Sequence, residues 1–245
     1  MKRTALILLT AIAVCAGALG QSAEDYQRSG SQHFQNRDVD QAIADFTQSI
    51  RLNPRNADAY YWRGRAYYGR NDLDKAIADY TQALKLNPRL DMAWAGRALA
   101  HYYKNDYDKA IADFTEAIRL YPRHAKAHYN RGMTYYRKHD YDKAIADFTE
   151  AIRLNPWDAD EYYARGNAHY RKKDYDQAIA DYTGAIRVNP GLAGFADAYY
   201  NRGQAYVNKK DYDKAIADFQ VLSRYNLYYH LAEEALEQVK KERGY

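Results

Sequence analysis

The chain has 245 residues, enough for one or two ordinary domains with a sizeable core. It contains 36 lysines and arginines and 32 aspartates and glutamates, which gives a net charge of +4. Nucleic-acid binding requires a concentrated basic surface, and so small a net charge does not indicate one. The one cysteine, Cys15, lies in an apolar leader, which excludes an intramolecular disulfide, a cysteine-based zinc site and thiol catalysis. Tyrosine is unusually frequent, at 27 residues, and must build the core, coat a binding surface, or do both.

Residues 1–20 have the layout of a secretory signal peptide. A short positive start precedes an apolar run through Val14, and small residues offer cleavage after Ala18 or Gly20. The run is shorter than the roughly 20 residues of a membrane-spanning helix. We therefore expect an exported protein, periplasmic or secreted. A lipid anchor on Cys15 stays open as an alternative, although Val14 is bulky where a small residue is preferred, and only this anchor would bring the protein to a membrane.

A repeat of 34 residues follows the leader. It is marked by the five prolines of the chain, Pro54, Pro88, Pro122, Pro156 and Pro190. The same offset superimposes QAIADFTQSIRLNP (41–54) on four later segments, and a sixth copy at 214–227 follows after 37 residues. The three extra residues lie in the stretch 191–195. Such a period is typical of a stack of repeated structural units.

Each copy contains two segments with helical spacing of apolar residues, such as 57–69 and 74–86. An aspartate before each second helix is a candidate N-cap. These aspartates are Asp38, Asp72, Asp106, Asp140, Asp174 and Asp211. An asparagine before the proline is predicted to end the second helix in a left-handed conformation. These asparagines are Asn53, Asn87, Asn155 and Asn189.

The period and its residues resemble the tetratricopeptide repeat family, from Ala23 to about Tyr229. The family's small residue on the first helix is matched by Gly30, Gly64, Ala98, Gly132, Gly166 and Gly203. Its small residue on the second helix is matched by Ala42, Ala76, Ala110, Ala144, Ala178 and Ala215, and its aromatic by Phe46, Tyr80, Phe114, Phe148, Tyr182 and Phe219. The resemblance implies an all-α solenoid, a right-handed superhelix of six helix-turn-helix repeats with a C-terminal capping helix.

The predicted organisation is a cleaved signal peptide, six repeats and a cap. The signal peptide covers 1–20, the repeats cover 23–56, 57–90, 91–124, 125–158, 159–192 and 196–229, and the capping helix covers 230–245. Leu231, Ala235 and Val239 lie on one face of the cap and are predicted to pack on the stack.

Thirteen tyrosines fall in columns assigned to the core. They are Tyr26, Tyr60, Tyr162, Tyr199, Tyr67, Tyr135, Tyr206, Tyr107, Tyr141, Tyr175, Tyr212, Tyr80 and Tyr182. The columns of first-helix arginines and second-helix aspartates predict a ladder of partly buried ion pairs, with a binding role as the alternative. A basic edge of Arg70, Lys104, Lys138, Lys172 and Lys209 at the ends of the first helices is explained by the helix dipole, with an anionic lipid or acidic partner as the alternative.

The sequence carries no catalytic or nucleotide-binding motif, so no enzyme activity, cofactor or small-molecule substrate is expected. His124 and His128 are four residues apart, but His124 lies in the turn after Pro122, which disfavours a metal site. We expect His33, His101 and His169 to replace tyrosines in a packing column.

The family resemblance implies that the first helices line the concave face of the superhelix, and the residues expected there form a tyrosine-lined groove. They are Tyr61, Arg65, Tyr68, Met92, Leu99, Tyr102, Lys126, Tyr129, Met133, Tyr136, Asp160, Tyr163, Asn167, Tyr170, Asp197, Tyr200 and Gln204. The groove predicts a scaffold that binds a peptide segment or partner helix. Two alternatives stay open: the rings only pack between repeats, or the protein is an envelope-associated structural protein without a groove ligand. The lysine–asparagine clamp of chaperone-binding relatives is not reproduced, since the matching positions begin with Gln27 and Ser31.

Overall fold

The structure is a computed structural model that describes residues 21–190, 192–223 and 228–244, without the side chains of 192–195. The predicted signal peptide and Cys15 lie outside the described residues. Within them the chain forms thirteen α-helices and no strand. The helices are α1 (Ala23–Gln35), α2 (Val39–Leu52), α3 (Ala57–Gly69), α4 (Leu73–Leu86), α5 (Asp91–Tyr103), α6 (Tyr107–Leu120), α7 (Ala125–Arg137), α8 (Tyr141–Leu154), α9 (Ala159–Arg171), α10 (Tyr175–Val188), α11 (Leu192–Asn208), α12 (Tyr212–Ser223) and α13 (Tyr229–Arg243).

The chain divides into two compact units. Unit 1 runs to Lys104 and contains α1–α5, and unit 2 begins at Asn105 and contains α6–α13. Within each unit every helix packs on the next one along the chain, and alternate helices also touch, as α7 and α9 do. The predicted all-α solenoid of helix pairs is therefore confirmed in both units.

The core of each pair is built from alanines and one second-helix aromatic. In α8, Ala144, Phe148, Ala151 and Ile152 are buried at a spacing of four, three and one residues, so one stripe of the helix faces its partner. Gly132 of α7 makes the approach possible, because a Cβ there would lie 2.8 Å from the Phe148 ring. The corresponding aromatics Phe46, Tyr80, Phe114, Tyr182 and Phe219 are likewise buried.

The tyrosines assigned to the core pack mostly against its edges. Seven of them are partly buried against the core clusters: Tyr60, Tyr67, Tyr135, Tyr162, Tyr199, Tyr206 and Tyr212. Of the thirteen tyrosines assigned to the core, only Tyr80 and Tyr182 are buried, and the other eleven are half-buried. A phenol hydroxyl needs water or a hydrogen-bond partner, which favours the flanks of the stack over its centre. There the rings contact cationic side chains. For example, the guanidinium carbon of Arg63 lies 5.7 Å from the centroid of the Tyr60 ring.

The left-handed residues lie at another turn than predicted. Asn53, Asn87, Asn155 and Asn189 have φ of −135°, −137°, −138° and −128°. The prediction of a left-handed conformation is wrong for all four, because the proline that follows disfavours helical geometry and favours an extended backbone in the residue before it. Positive φ occurs instead where each first helix ends, at Arg37, Asn71, Asn105, His139, Lys173 and Lys210.

The N-cap prediction is confirmed for three helices. The carboxylates of Asp38, Asp140 and Asp174 accept from the backbone amide three residues later, at 3.4, 3.4 and 3.5 Å. Asp72 and Asp106 make no such bond. The Asp72 carboxylate instead accepts from the Arg70 guanidinium, at 2.5 Å.

The predicted ladder of ion pairs is confirmed. Two guanidinium nitrogens of Arg131 donate to the buried Asp147 carboxylate, both at 2.8 Å, and a third donates to Thr115 of the preceding second helix at 3.0 Å. Each such arginine thus joins its own repeat to the one before it. The same arrangement holds for Arg63 with Asp79 and Thr47, Arg165 with Asp181 and Thr149, and Arg202 with Asp218 and Thr183. In the first repeat, Ser29 and His33 bind Asp45 instead, at 2.7 and 2.9 Å, so His33 is more than a packing substitute.

The basic edge is neutralised by acidic residues of the preceding second helix. Arg70 binds Asp40, with 2.7 Å between guanidinium nitrogen and carboxylate oxygen, and Lys104, Lys138, Lys172 and Lys209 bind Asp74, Asp108, Asp142 and Asp176. The helix dipole is therefore not the whole explanation of this edge, which is a second row of links between repeats.

The terminal helix α13 packs as the first helix of a further repeat. Arg243 binds Asp213 at 2.6 Å, as the basic-edge residues bind theirs. Its buried face consists of Ala232, Ala235, Leu236 and Val239. Leu231, predicted to lie on this face, is 37% exposed, so that part of the prediction is wrong: the helix is rotated to bury Leu236 instead.

Candidate functional site

Six of the predicted groove residues meet in one pocket of unit 2. The pocket has a volume of about 300 Å³. It is lined by Tyr129, Met133 and Tyr136 of α7 and by Asp160, Tyr163, Ala164 and Asn167 of α9. Residues four and seven apart share a helix face, and α7 and α9 are first helices of successive repeats, so the repeat itself brings the two rows together.

The pocket tyrosines both pack on the core and face outwards. Tyr129 lies against Phe148 at 5.8 Å between ring centroids, and Tyr163 lies against Tyr182 at 5.9 Å. Tyr136 contacts Tyr141 at 5.4 Å. All three pocket rings are nevertheless only half-buried. They combine a fixed orientation with accessible surface, which is what a recognition surface needs.

An amide network holds one wall of the pocket. The Tyr182 hydroxyl donates to Oδ1 of Asn167 at 2.8 Å. Asn201 Nδ2 donates to the same oxygen at 3.1 Å and to the Tyr163 hydroxyl at 3.0 Å. Because Oδ1 accepts both bonds, the amide of Asn167 is held in one orientation.

Acidic groups lie at the start of α9. Burial, and to a lesser degree the neighbouring charge of Asp158, raises the pKa of Asp160. Asp160 also borders a second, more open cavity of about 380 Å³ that includes Asp158 and Trp157. Trp157 is 82% exposed. This end of unit 2 therefore combines accessible aromatic surface with negative charge.

Glu161 is an acidic residue that sequence reasoning missed. It is 3% exposed, and its Oε2 has no hydrogen-bond partner among the described residues. Burial, then Asp158 and Asp160, raises its pKa to about 7. A signal was present in the sequence, because the same position holds alanine in four other repeats, at Ala59, Ala93, Ala127 and Ala198. A charged residue in a column of small buried residues marks an unusual environment.

The remaining predicted groove residues of unit 2 lie outside this pocket. Lys126 and Asp197 are exposed, Gln204 is half-buried, and Tyr200 packs on Phe219 at 5.9 Å between ring centroids. Tyr170 accepts a hydrogen bond from Asn208 Nδ2 at 3.1 Å.

In unit 1 the predicted groove residues contact one another and their neighbours. Tyr61 is 6% exposed, and its hydroxyl lies 3.6 Å from the sulfur of Met92. The guanidinium carbon of Arg65 lies 4.7 Å from the Trp62 ring centroid and 5.1 Å from that of Phe34. Further along the unit, Tyr68 and Tyr102 both pack against the ring of Tyr103, at 6.0 and 5.3 Å, and Leu99 is half-buried.

The histidines serve local structure. His124 caps α7, where its ring nitrogen accepts from the amide of Ala127 at 3.2 Å. Nε2 of His128 lies 3.1 Å from the carbonyl oxygen of Pro122, and Nδ1 lies 3.5 Å from Asp147. Across the described part of the chain, no three His, Cys, Asp or Glu residues cluster as metal ligands would. No helix formed by those residues has the length and apolar character needed to span a bilayer.

Solved structures with similar folds include those of YrrB, PilF and MamA. YrrB, described as a TPR protein with an unusual peptide-binding site, is 24% identical, with a TM-score of 0.68, covering 78% of this chain and 97% of its own. PilF of Pseudomonas aeruginosa is 19% identical, with a TM-score of 0.72, covering 90% and 97%. MamA is 23% identical, with a TM-score of 0.64, covering 68% and 97%. At these identities the likeness concerns the fold.

The family assignment comes from the sequence itself. No curated protein sequence matches the chain significantly. The family model described as "Tetratricopeptide repeat" matches residues 28–91, 96–159 and 163–225, well over half of the chain. With the helix pairs, the small residues at their crossings and the buried second-helix aromatics, this shows that the chain belongs to the tetratricopeptide repeat family.

Proposed function

We propose that the protein is an exported, non-catalytic scaffold that binds a peptide segment or partner helix along the tyrosine-lined face of its first helices. The observation that carries the proposal is the unit 2 pocket, where six predicted groove residues from two successive first helices line one cavity. A binding role of this kind is typical of helical-repeat proteins, which use extended repeat surfaces for recognition. The peptide-binding site ascribed to YrrB, a protein of similar fold, supports the same role for this chain.

Site-specific photo-cross-linking tests this function. A benzoylphenylalanine introduced at Met133 reports on the pocket, and one at Tyr121, which is 51% exposed in the same unit, serves as the matched control. We expect discrete cross-linked adducts from Met133 and not from Tyr121 when the protein is expressed in its native cell. Adducts of equal yield at both positions would contradict the proposal.

A pocket-filling variant provides the second arm. Truncating Tyr129 or Tyr163 would also remove packing on Phe148 or Tyr182, so loss of binding would be ambiguous. Met133→Arg keeps those rings and fills the pocket with a long side chain. We expect cross-linking from a probe at Asn167 to disappear in Met133→Arg and to persist in the control Tyr121→Arg, with unchanged circular dichroism in both.

Export is the part of the proposal that rests on the leader alone. Cell fractionation with N-terminal sequencing of the mature chain tests it, and we expect a start after Ala18 or Gly20. A mature chain that begins at Met1 in the cytosol would contradict export. Cys15→Ser with a labelled lipid precursor tests the anchored alternative, in which the protein is an envelope-associated structural component.

A further inference from the structure

The unit 2 pocket has the walls of a site for an organic cation. Tyr129, Tyr136 and Tyr163 contribute half-buried rings, and Met133 contributes a flexible, polarizable thioether. The electron-rich faces of aromatic rings attract ammonium and guanidinium groups. Its volume of about 300 Å³ suits a single large side chain better than a whole helix face.

The pocket also holds a carboxylate without a counter-ion. In the described part of the chain the Asp160 side chain makes neither a hydrogen bond nor an ion pair, although its own backbone amide is bound by Asp158. Burial already disfavours its charged form and raises its pKa. A cation brought into the pocket would therefore gain a charge-assisted hydrogen bond from a group that is unpaired without it.

The charges around the pocket have both signs. Asp158 adds negative charge next to Asp160, and Asp197 acts on Tyr163. Lys126 is exposed and only partly offsets the charge of Asp160. Arg171 donates to the Tyr136 hydroxyl at 3.3 Å without being among the residues that line the cavity. Among the residues that line the pocket, Asp160, which is itself exposed, is thus the one charged group.

In unit 1 an aromatic surface on the first helices already binds a cationic group of the chain itself. There Arg65 places its own guanidinium over Trp62 and Phe34. Arg65 occupies the repeat position that holds Leu99 one repeat later and Met133 and Asn167 in unit 2, each 34 residues after the one before. Between α7 and α9, where Met133 and Asn167 take the place of this arginine, the aromatic surface lines an open pocket and Asp160 lies beside it.

We propose that the unit 2 pocket takes a cationic side chain, arginine or lysine, of the bound segment, which packs against the three tyrosines and pairs with Asp160. This inference rests on the proposed function, because it names the chemistry by which the groove recognises its peptide. The partner is accordingly a segment with an exposed basic residue.

Nonapeptides titrated into the full mature chain test the inference. Each has an alanine–serine background with one central residue: arginine, lysine, citrulline, norleucine or glutamate. Citrulline matches the shape of arginine without its charge. With chemical shifts of the pocket residues as the readout, we expect the arginine and lysine peptides to bind about tenfold more tightly than the neutral ones. Asp160→Asn should lower that preference, because only the attraction of the rings is left. Asp197→Asn, which changes a likewise exposed aspartate at the same repeat position outside the pocket, should keep the preference in full.

The outcomes separate this inference from the function beneath it. Equal affinity for citrulline, norleucine and arginine peptides, or an unchanged preference in Asp160→Asn, overturns the cation pocket and leaves peptide binding intact. Absence of binding by every peptide also overturns it, and the Met133 cross-linking result then decides whether the proposed function stands. If the glutamate peptide bound most tightly, the pocket would prefer an anion, and the proposal would be wrong.

Discussion

The two units use one repeat pattern to make two different surfaces. In unit 1 the guanidinium of Arg65 covers the rings of Trp62 and Phe34, so the chain satisfies its own aromatic face. In unit 2, Met133 and Asn167 stand at that repeat position, and an open pocket lies between α7 and α9. In these two places the residue at one repeat position thus differs together with the surface, which Arg65 covers in unit 1 and which is open beside Met133 and Asn167 in unit 2. The scaffold beneath, with its buried aromatics and arginine–aspartate pairs, recurs in both units, except that Ser29 and His33 bind Asp45 in the first repeat.

The largest expected effect tests whether the units share that scaffold. Removing one partner of a buried ion pair leaves an uncompensated charge, so Arg63→Ala and Arg131→Ala should each lower the free energy of unfolding by about 3 kcal/mol at pH 8. Urea denaturation followed by circular dichroism measures both. The exposed Lys109→Ala is the control and should change stability by less than about 0.5 kcal/mol.

The loss of stability in these two variants should depend on pH in unit 2 and not in unit 1. In unit 2 the Asp147 carboxylate, 3.5 Å from Nδ1 of His128, raises the pKa of His128, against the effect of burial. A raised histidine pKa gives stability that is fully present below the unfolded value of about 6.5 and is lost as the pH rises through the folded value. Arg131→Ala should therefore lose less stability at pH 6 than at pH 8. In unit 1, Tyr60 occupies the position of His128, so Arg63→Ala should lose the same amount of stability at pH 6 as at pH 8. The same pH dependence in both variants would contradict this prediction.

The next effect concerns Glu161, which replaces the alanine that unit 1 has at Ala59. Its pKa is raised from the ordinary glutamate value of 4.5 to about 7, first by burial and then by Asp158 and Asp160. A carboxyl with a raised pKa stabilises the fold least when it is ionised, so the wild type should lose stability as the pH rises from about 4.5 through 7.

Glu161→Ala should remove this loss. We expect the variant to be more stable than the wild type by about 2 kcal/mol at pH 8 and to show no such gain at pH 4.5. Glu161→Gln, which keeps the volume, is the matched control and should follow the same trend with pH. A pH-independent difference between wild type and both variants would show that Glu161 is not ionised by pH 8.

The smallest effect is expected from a substitution that gives unit 1 the residue found at the same repeat position in unit 2. Arg65→Met removes the guanidinium from two rings and should lower the free energy of unfolding by about 1 kcal/mol. The indole resonance of Trp62 should shift, and N-acetylarginine methylamide should then shift it further, since the free guanidinium replaces the lost one. The wild type should show no such response. If neither protein responds, the aromatic face of unit 1 is not a guanidinium site, and the parallel with unit 2 fails.

Sequence patterns predicted the repeat scaffold well because its determinants are local and repeated. Pro54 and its four equivalents set the period, and small residues such as Gly132 mark the helix crossings. The ion-pair ladder that includes Arg131 and Asp147 could be predicted because an arginine and an aspartate recur at fixed positions of successive repeats. Charges that are partly buried in this way must be paired within the fold. The asparagine turn was mispredicted because the residue type was weighed without the proline that follows it.

The sequence by itself determined the helix pairs, their order and the face on which the groove residues lie, since a helical period fixes which residues share a side. Only the tertiary structure decided which of those residues meet in a pocket, that Tyr61 is buried, and that Asp160 stands beside an open aromatic surface without a counter-ion. It also decided that most tyrosines lie on the flanks of the core. These properties depend on distances between side chains of different helices, and residues that share a repeat position, such as Arg65 and Met133, differ in the neighbours they reach.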